Sequence, residues 1–200
     1  MLRRQIAKVI SWQVDHHVLA EEDRTVYEYG YLLMVEVMIN VVIAIVLGVA
    51  GSSLREVMLF LFLYIPLRSY CGGYHAETAG TCTLFSSIII ICEIIMVHIM
   101  PVHDNNLLSI VCGLFIICMV AVILLAPVDS VHKPLSKDVC SRHKKTVICI
   151  AFMHGVCMLG MLYFRVNIGC YIMTYVYSIQ VLMLLLGRIK NMLIRTFWGE

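Results

Sequence analysis

A histidine and a cysteine, His75 and Cys82, stand seven residues apart in the polar, glycine-rich stretch 68–82, which interrupts two apolar runs. A cysteine attacks carbonyls as the thiolate. A neighbouring imidazole takes the thiol proton, stabilises the resulting charge and later protonates the leaving amine. On one continuous helix, seven residues rise about 10 Å, too far for a hydrogen bond between the two side chains. The helix must therefore break between them. Gly80 offers that break, while Gly72 and Gly73 let the chain turn, or approach another backbone, just before the histidine. The expectation is a kinked or re-entrant segment over 68–82 that lines a cavity, because irregular backbone at membrane depth needs protein or water to satisfy it. Cys82 then falls near the start of the next helix, where unpaired N–H groups favour a thiolate and can receive an oxyanion. Two blander or different readings stay open. Cys71, His75 and Cys82, with Glu77, are candidate metal ligands, although no CxxC or HExxH pattern is present. Alternatively His75 is an interfacial polar residue and Cys82 a packing thiol.

The elements that must position this pair are set by composition. Of 200 residues, 61% are apolar and 14% charged, with a mean hydropathy of +0.90, which excludes a soluble single core. The net charge of +2 is scattered among apolar runs, so no basic face for nucleic acid exists. Nine cysteines, most inside apolar runs, do not form a disulfide framework. The fold class expected is all-α and polytopic: a single membrane domain over 1–200, with an amphipathic N-terminal region (1–29), a six-helix bundle (30–187) and a cytoplasmic tail (188–200). Apolar runs place spans near 31–50, 53–67, 83–100, 107–126, 146–164 and 168–186, the second being short and opening on Arg55 and Glu56. A hydrophilic loop is expected from Pro127 to about Lys145.

Thirteen of the fifteen lysines and arginines fall on one side of such a six-span arrangement; Arg55 and Arg165 fall on the other. Cation-rich flanks stay in the cytoplasm, so both termini and the glycine-rich segment are expected to face it. Ionisable groups inside apolar spans are costly, which singles out Glu36, Glu93, His98 and His154. Glu36 could orient His75 or pair with Arg68; the other three read as neutral or paired contacts between helices. Cys92, Cys112, Cys118, Cys149, Cys157 and Cys170 read as packing residues.

Arg68, then Gly72-Gly73-Tyr74-His75-Ala76, then Cys82, in a chain of this size and hydropathy, resembles the accessory gene regulator protein B (AgrB) family of bacterial membrane cysteine endopeptidases. Ala126-Pro127 followed by His132-Lys133-Pro134 agrees with it. The resemblance implies that His75 and Cys82 are the catalytic pair. It also implies that Arg68 is the family's basic residue before the glycines Gly72 and Gly73, and that Glu36 falls where the family often has an acidic or amide residue. The implied substrate is an AgrD-type quorum-sensing propeptide lying on the inner membrane surface. Its acidic C-terminal tail would be cut off through a thioester on Cys82, and a thiolactone or lactone ring would close without ATP. No cofactor or metal is implied; the implied partners are the propeptide, membrane lipid and a second copy in a homodimer. The cations Lys133, Lys137, Arg142, Lys144 and Lys145 suit an acidic leaving segment, and equally suit lipid headgroups. The rival expectation is a non-enzymatic peptide exporter or scaffold subunit, in which the His-Cys segment is a gate or a packing kink.

Overall fold

The computed structural model describes residues 2–16, 18–74, 79–101, 104–128 and 136–198. They form seven α-helices: α1 (Leu2–Asp15), α2 (Arg24–Ala50), α3 (Leu54–Cys71), α4 (Ala79–Ile99), α5 (Asn105–Leu125), α6 (Lys137–Tyr163) and α7 (Asn167–Trp198). A 3-10 turn at Glu21–Asp23 precedes α2. Among the described residues no strand is present, and one isolated bridge joins Gly72 to Val128. Five helices, 21–50, 80–99, 106–125, 137–163 and 167–194, are long and apolar enough to cross a bilayer. The chain is thus an all-helical, multi-pass membrane protein. The remaining expected span, the second, corresponds to α3, whose 18 residues include Arg55, Glu56 and Arg68 and which does not reach that threshold.

α7 is the hub. It packs against α3, α4, α5 and α6, whereas α2 packs on α3 and α4, and α1 lies on α2. Cys170, Ile172, Met173, Val176, Tyr177 and Leu184 of α7 are fully buried, while Phe62, Ile117, Phe152 and Leu159 on surrounding helices are exposed. That inversion fits a lipid surround, in which close packing and interhelical hydrogen bonds, not expulsion of water, hold helices together. Tyr175 donates its hydroxyl to the Ile89 carbonyl at 2.9 Å and Thr174 to the Val111 carbonyl at 3.3 Å. His154 of α6 meets the Tyr177 hydroxyl at 3.2 Å, the paired contact its position implied. Glu93 is fully buried and neither carboxyl oxygen has a partner among the described residues, so of the two expected states it is not the paired one. His98 contacts the Ile94 carbonyl of its own helix at 2.8 Å and bridges no neighbour through it. Of the cysteines read as packing residues, Cys118 and Cys170 are buried, Cys112 is half-buried, and Cys92, Cys149 and Cys157 lie on exposed faces.

The amphipathic N-terminal helix is present. Ile6 and Ile10, one turn apart, are buried together with Leu19 against Tyr31, Leu32 and Val35 of α2. Gln13 donates to the Tyr31 hydroxyl at 2.8 Å, and Arg24 reaches Ser11 at 2.9 Å, so α1 is pinned to the base of α2.

Helix ends differ from the hydropathy boundaries. The last part of the expected loop to Lys145 belongs to α6, which starts at Lys137 after Ser136 accepts a hydrogen bond from the Val139 N–H. The expected cytoplasmic tail is helical as far as Trp198, because α7 continues past its apolar stretch. The physical reason is common to both: hydropathy changes where the bilayer ends, but a helix continues as long as its backbone bonds and caps are satisfied. The early start of α6 has a structural use. Lys144 donates to the carbonyls of Ile123 and of Ala126 (2.7 Å for the latter), and Arg188 donates to Leu125 at 2.9 Å. Two cations thus satisfy the unpaired carbonyl end of α5, where the dipole is negative. Lys144→Met is expected to lower stability by about 1–3 kcal/mol through the orphaned carbonyls. Thermal unfolding in detergent checks this, with exposed Lys145→Met as the unchanged control.

Candidate active site

α3 ends in a chain reversal that only glycine permits. Gly72 closes the helix, its N–H bonding the Arg68 carbonyl at 3.3 Å, with φ at +67°; Gly73 follows at +112°. A Cβ on Gly72 would stand 2.3 Å from the Val128 oxygen, and one on Gly73 would stand 2.8 Å from the Met183 oxygen. From α7 the approach is equally close, since a Cβ on Gly187 would meet the Gly73 carbonyl carbon at 2.7 Å. The reversal is then fixed by hydrogen bonds. Val128 N–H bonds the Cys71 carbonyl at 3.0 Å, Gly73 N–H the Val128 carbonyl at 3.3 Å, and Tyr74 N–H the Met183 carbonyl at 2.8 Å. Gln180 donates its side-chain amide to the Gly72 carbonyl at 3.3 Å.

Arg68, in the last turn of α3, bends over this reversal and donates through Nη1 to the Gly72 carbonyl and through Nη2 to the Tyr74 carbonyl. One planar guanidinium thereby fixes two carbonyls two residues apart. The Tyr74 ring meets Phe85 of α4 edge-on at 6.0 Å and lies under the Lys190 ammonium at 5.3 Å. The chain immediately before His75 is therefore held on α3, α4 and α7 together.

A cavity of about 240 Å³ opens between α2, α3 and α4, and Glu36, Arg68, Tyr74, Cys82 and Ser86 line it. Cys82 is half-buried in the first turn of α4, its sulfur hydrogen-bonded with Ser86 one turn on. Glu36 and Arg68 are the charged groups acting on it most strongly. The site residues expected from sequence fall as follows. Cys82, Arg68, Gly72, Gly73 and Glu36 lie at this cavity or at the reversal that walls it. Cys71 is fully buried in the core beneath. Lys144 caps α5, and Lys145 is exposed on α6. His75, Glu77 and Lys133 lie outside the described residues. One expectation needs correction. Gly80 is not a break: it is helical within α4, with open space around its Cα, so α4 begins at Ala79 and not near Thr83. The sharp reversal lies at Gly72–Gly73.

Sequence reasoning missed Asn40, Tyr64 and Gly187. The first had a readable signal, an amide one helical turn beyond Glu36 on the same apolar span. Gly187 had none, because a lone glycine in a helix does not reveal which backbone passes beside it.

An all-helical, multi-pass membrane protein with a cysteine-bearing cavity beside an arginine-clamped glycine reversal is the class that fold and site define. The family Accessory gene regulator B (AgrB) matches residues 4–186, and the chain belongs to that family. It is similar to AgrB-like protein 2 of Clostridium perfringens (strain 13 / Type A), 28% identical over 137 residues. It is equally similar, at 28% over 137 residues, to an AgrB-like protein of Clostridium perfringens (strain SM101 / Type A). Each alignment covers 66% of this chain and 64% of the relative, so the match spans somewhat less than two thirds of those proteins. No solved structure matches the chain.

The glycine geometry gives a paired test. Gly73→Ala is expected to destabilise the protein and Gly80→Ala to stabilise it by about 1 kcal/mol. The comparison is made by thermal unfolding in detergent; equal shifts would contradict the placement of the reversal.

Proposed function

We propose that this protein is a membrane cysteine endopeptidase that removes the acidic C-terminal tail of an AgrD-type propeptide, with Cys82 as nucleophile and His75 as its proton acceptor. The observation that carries the reading is that Cys82 and Tyr74, the residue joined to His75, line one cavity, with Arg68 holding the Tyr74 carbonyl. Membership of the AgrB family supplies the substrate class.

In this reading the Cys82 proton passes to His75 and the sulfur attacks the scissile carbonyl carbon. The tetrahedral intermediate collapses with cleavage of the C–N bond, and the proton moves on to the leaving amine. The tail departs with a free amino terminus, and the upstream part stays as a thioester. A cysteine thiol or serine hydroxyl of the propeptide then attacks that thioester, closing a thiolactone or lactone and restoring the Cys82 thiol. The thioester conserves acyl activation, so no ATP is consumed. Arg68 is a positioning residue, since its guanidinium fixes the backbone leading to His75 and leaves a positive charge beside the sulfur. The cation distribution supports α3 crossing as a sixth span, with both termini and the cavity mouth on the cytoplasmic side.

Co-expression with a propeptide tests this. Cys82→Ser and His75→Ala are each expected to reduce tail release by at least about a thousandfold. Arg68→Gln is expected to reduce it less. Tail release that survives in both Cys82→Ser and His75→Ala would remove the peptidase reading. Loss of cleavage on chelation, with survival through thiol alkylation, would assign the chemistry to a metal.

A further inference from the structure

The cavity has an order that its lining reveals. Glu36, Asn40 and Ala44 succeed one another at four-residue steps on α2, Cys82, Ser86 and Ile90 do so on α4, and Arg68, Tyr64 and Phe60 do so in descending order on α3. Each four-residue step is one helical turn, about 6 Å along the axis. The three helices therefore present three rungs. The outer rung is Glu36, Arg68 and Cys82, with both charges acting on the sulfur. The middle rung is Asn40, Tyr64 and Ser86. The inner rung is Ala44, Phe60 and Ile90, all buried in one core cluster. Polarity falls from ionic to neutral polar to apolar over about 12 Å.

Two features point to an occupant. Asn40 carries a buried side-chain oxygen with no partner among the described residues, on the wall of the cavity. A buried amide left unpaired is costly, and a peptide group, with one donor and one acceptor, is its natural complement. The second feature is room. About 240 Å³ exceeds the roughly 150 Å³ cavity that takes up benzene, so a side chain of leucine or phenylalanine size fits with backbone above it. Continuity with Cys82 identifies whose residue this is.

We propose that the groove is the subsite for the substrate residue on the N-terminal side of the cleaved bond. Its apolar side chain points down the groove toward the Ala44–Phe60–Ile90 floor, and its peptide backbone pairs with the Asn40 amide. The proposal rests on the peptidase reading for the identity of the occupant. Ala44 is the size-determining residue, because its methyl stands where a larger side chain would fill the floor. An apolar side chain directed at that floor, which lies two helical turns beneath the thiol, would also hold the scissile carbonyl at the outer rung.

The test has two arms. In membranes, Cys82 is labelled with methyl and with octyl methanethiosulfonate, and the Cys82 peptide is read by mass spectrometry. The thiolate attacks the thiosulfonate sulfur, a mixed disulfide forms and methanesulfinate leaves. Ala44→Leu is expected to slow the octyl reagent at least about tenfold relative to the methyl reagent, a difference of about 1.4 kcal/mol. Ala44→Val is expected to give an intermediate ratio, and unaltered methyl labelling shows that the variants are folded. An octyl-to-methyl ratio unchanged in both variants would overturn the groove. In the second arm, each variant is co-expressed with a propeptide carrying Leu or Ala before the cleaved bond. Ala44→Leu is expected to retain Ala and lose Leu, and Asn40→Leu to weaken processing of both, with Asn40→Gln recovering part of it. If the labelling ratio shifts but substrate preference does not, and a co-purifying lipid is released by Ala44→Leu, the groove seats lipid and the inference fails. If the labelling ratio shifts while Cys82→Ser still releases the tail, the peptidase reading fails and takes the occupant with it, leaving only an apolar groove.

Discussion

The arrangement around Arg68 is the constraint on which the rest depends. A guanidinium at the end of α3 donates to the carbonyls of Gly72 and Tyr74, in a chain that has just turned through two positive φ angles. Without that clamp the reversal would present carbonyls to a low-dielectric interior with too few donors, a cost of about 1–3 kcal/mol for each unpaired group. The Val128 backbone, in the segment that follows α5, and the Gln180 amide of α7 complete the satisfaction. Two glycines just past α3, an arginine of α3 and a glutamine of α7 thereby define where the chain stands as it leaves for residue 75.

The hub position of α7 follows from the same need. Its Met183 carbonyl accepts the Tyr74 N–H, and Gly187 gives the incoming backbone room that any side chain would deny. The capping of α5 by Lys144 and Arg188 fixes the neighbouring segment 126–128, against which Gly72 pairs. Cations near the membrane surface therefore have a structural role here besides any role in topology. The outer apolar faces of α4, α5 and α6 remain free for lipid.

Much of this was legible in the sequence. Apolar runs located the helices, and the polar interruption with its glycines marked the place where regular structure had to fail. The helix ends were not legible, because α6 begins in residues that hydropathy assigns to a loop and α7 continues into residues assigned to a tail. Gly80 misled for a related reason: a glycine next to a histidine and a cysteine reads as a break, yet a helix tolerates it at about 1 kcal/mol. The reversal at Gly72–Gly73 is marked instead by what approaches it, the Val128 and Met183 carbonyls, which lie 56 and 110 residues away along the chain. The middle rung of the cavity was hidden in the same way. Asn40, Tyr64 and Ser86 share no local pattern, and only the antiparallel course of α3 between α2 and α4 aligns them.

The central claim is that the clamped reversal delivers residue 75 to the sulfur of Cys82. The most direct measurement is disulfide formation in His75→Cys under mild oxidation, with Cys71→Ala removing the nearest competing thiol and the linked peptide identified by mass spectrometry. The account predicts a rapid bond between positions 75 and 82 that is markedly slowed when Arg68→Gln is added. A chain in which no such bond forms, or in which it forms at the same rate with and without the arginine, would contradict it.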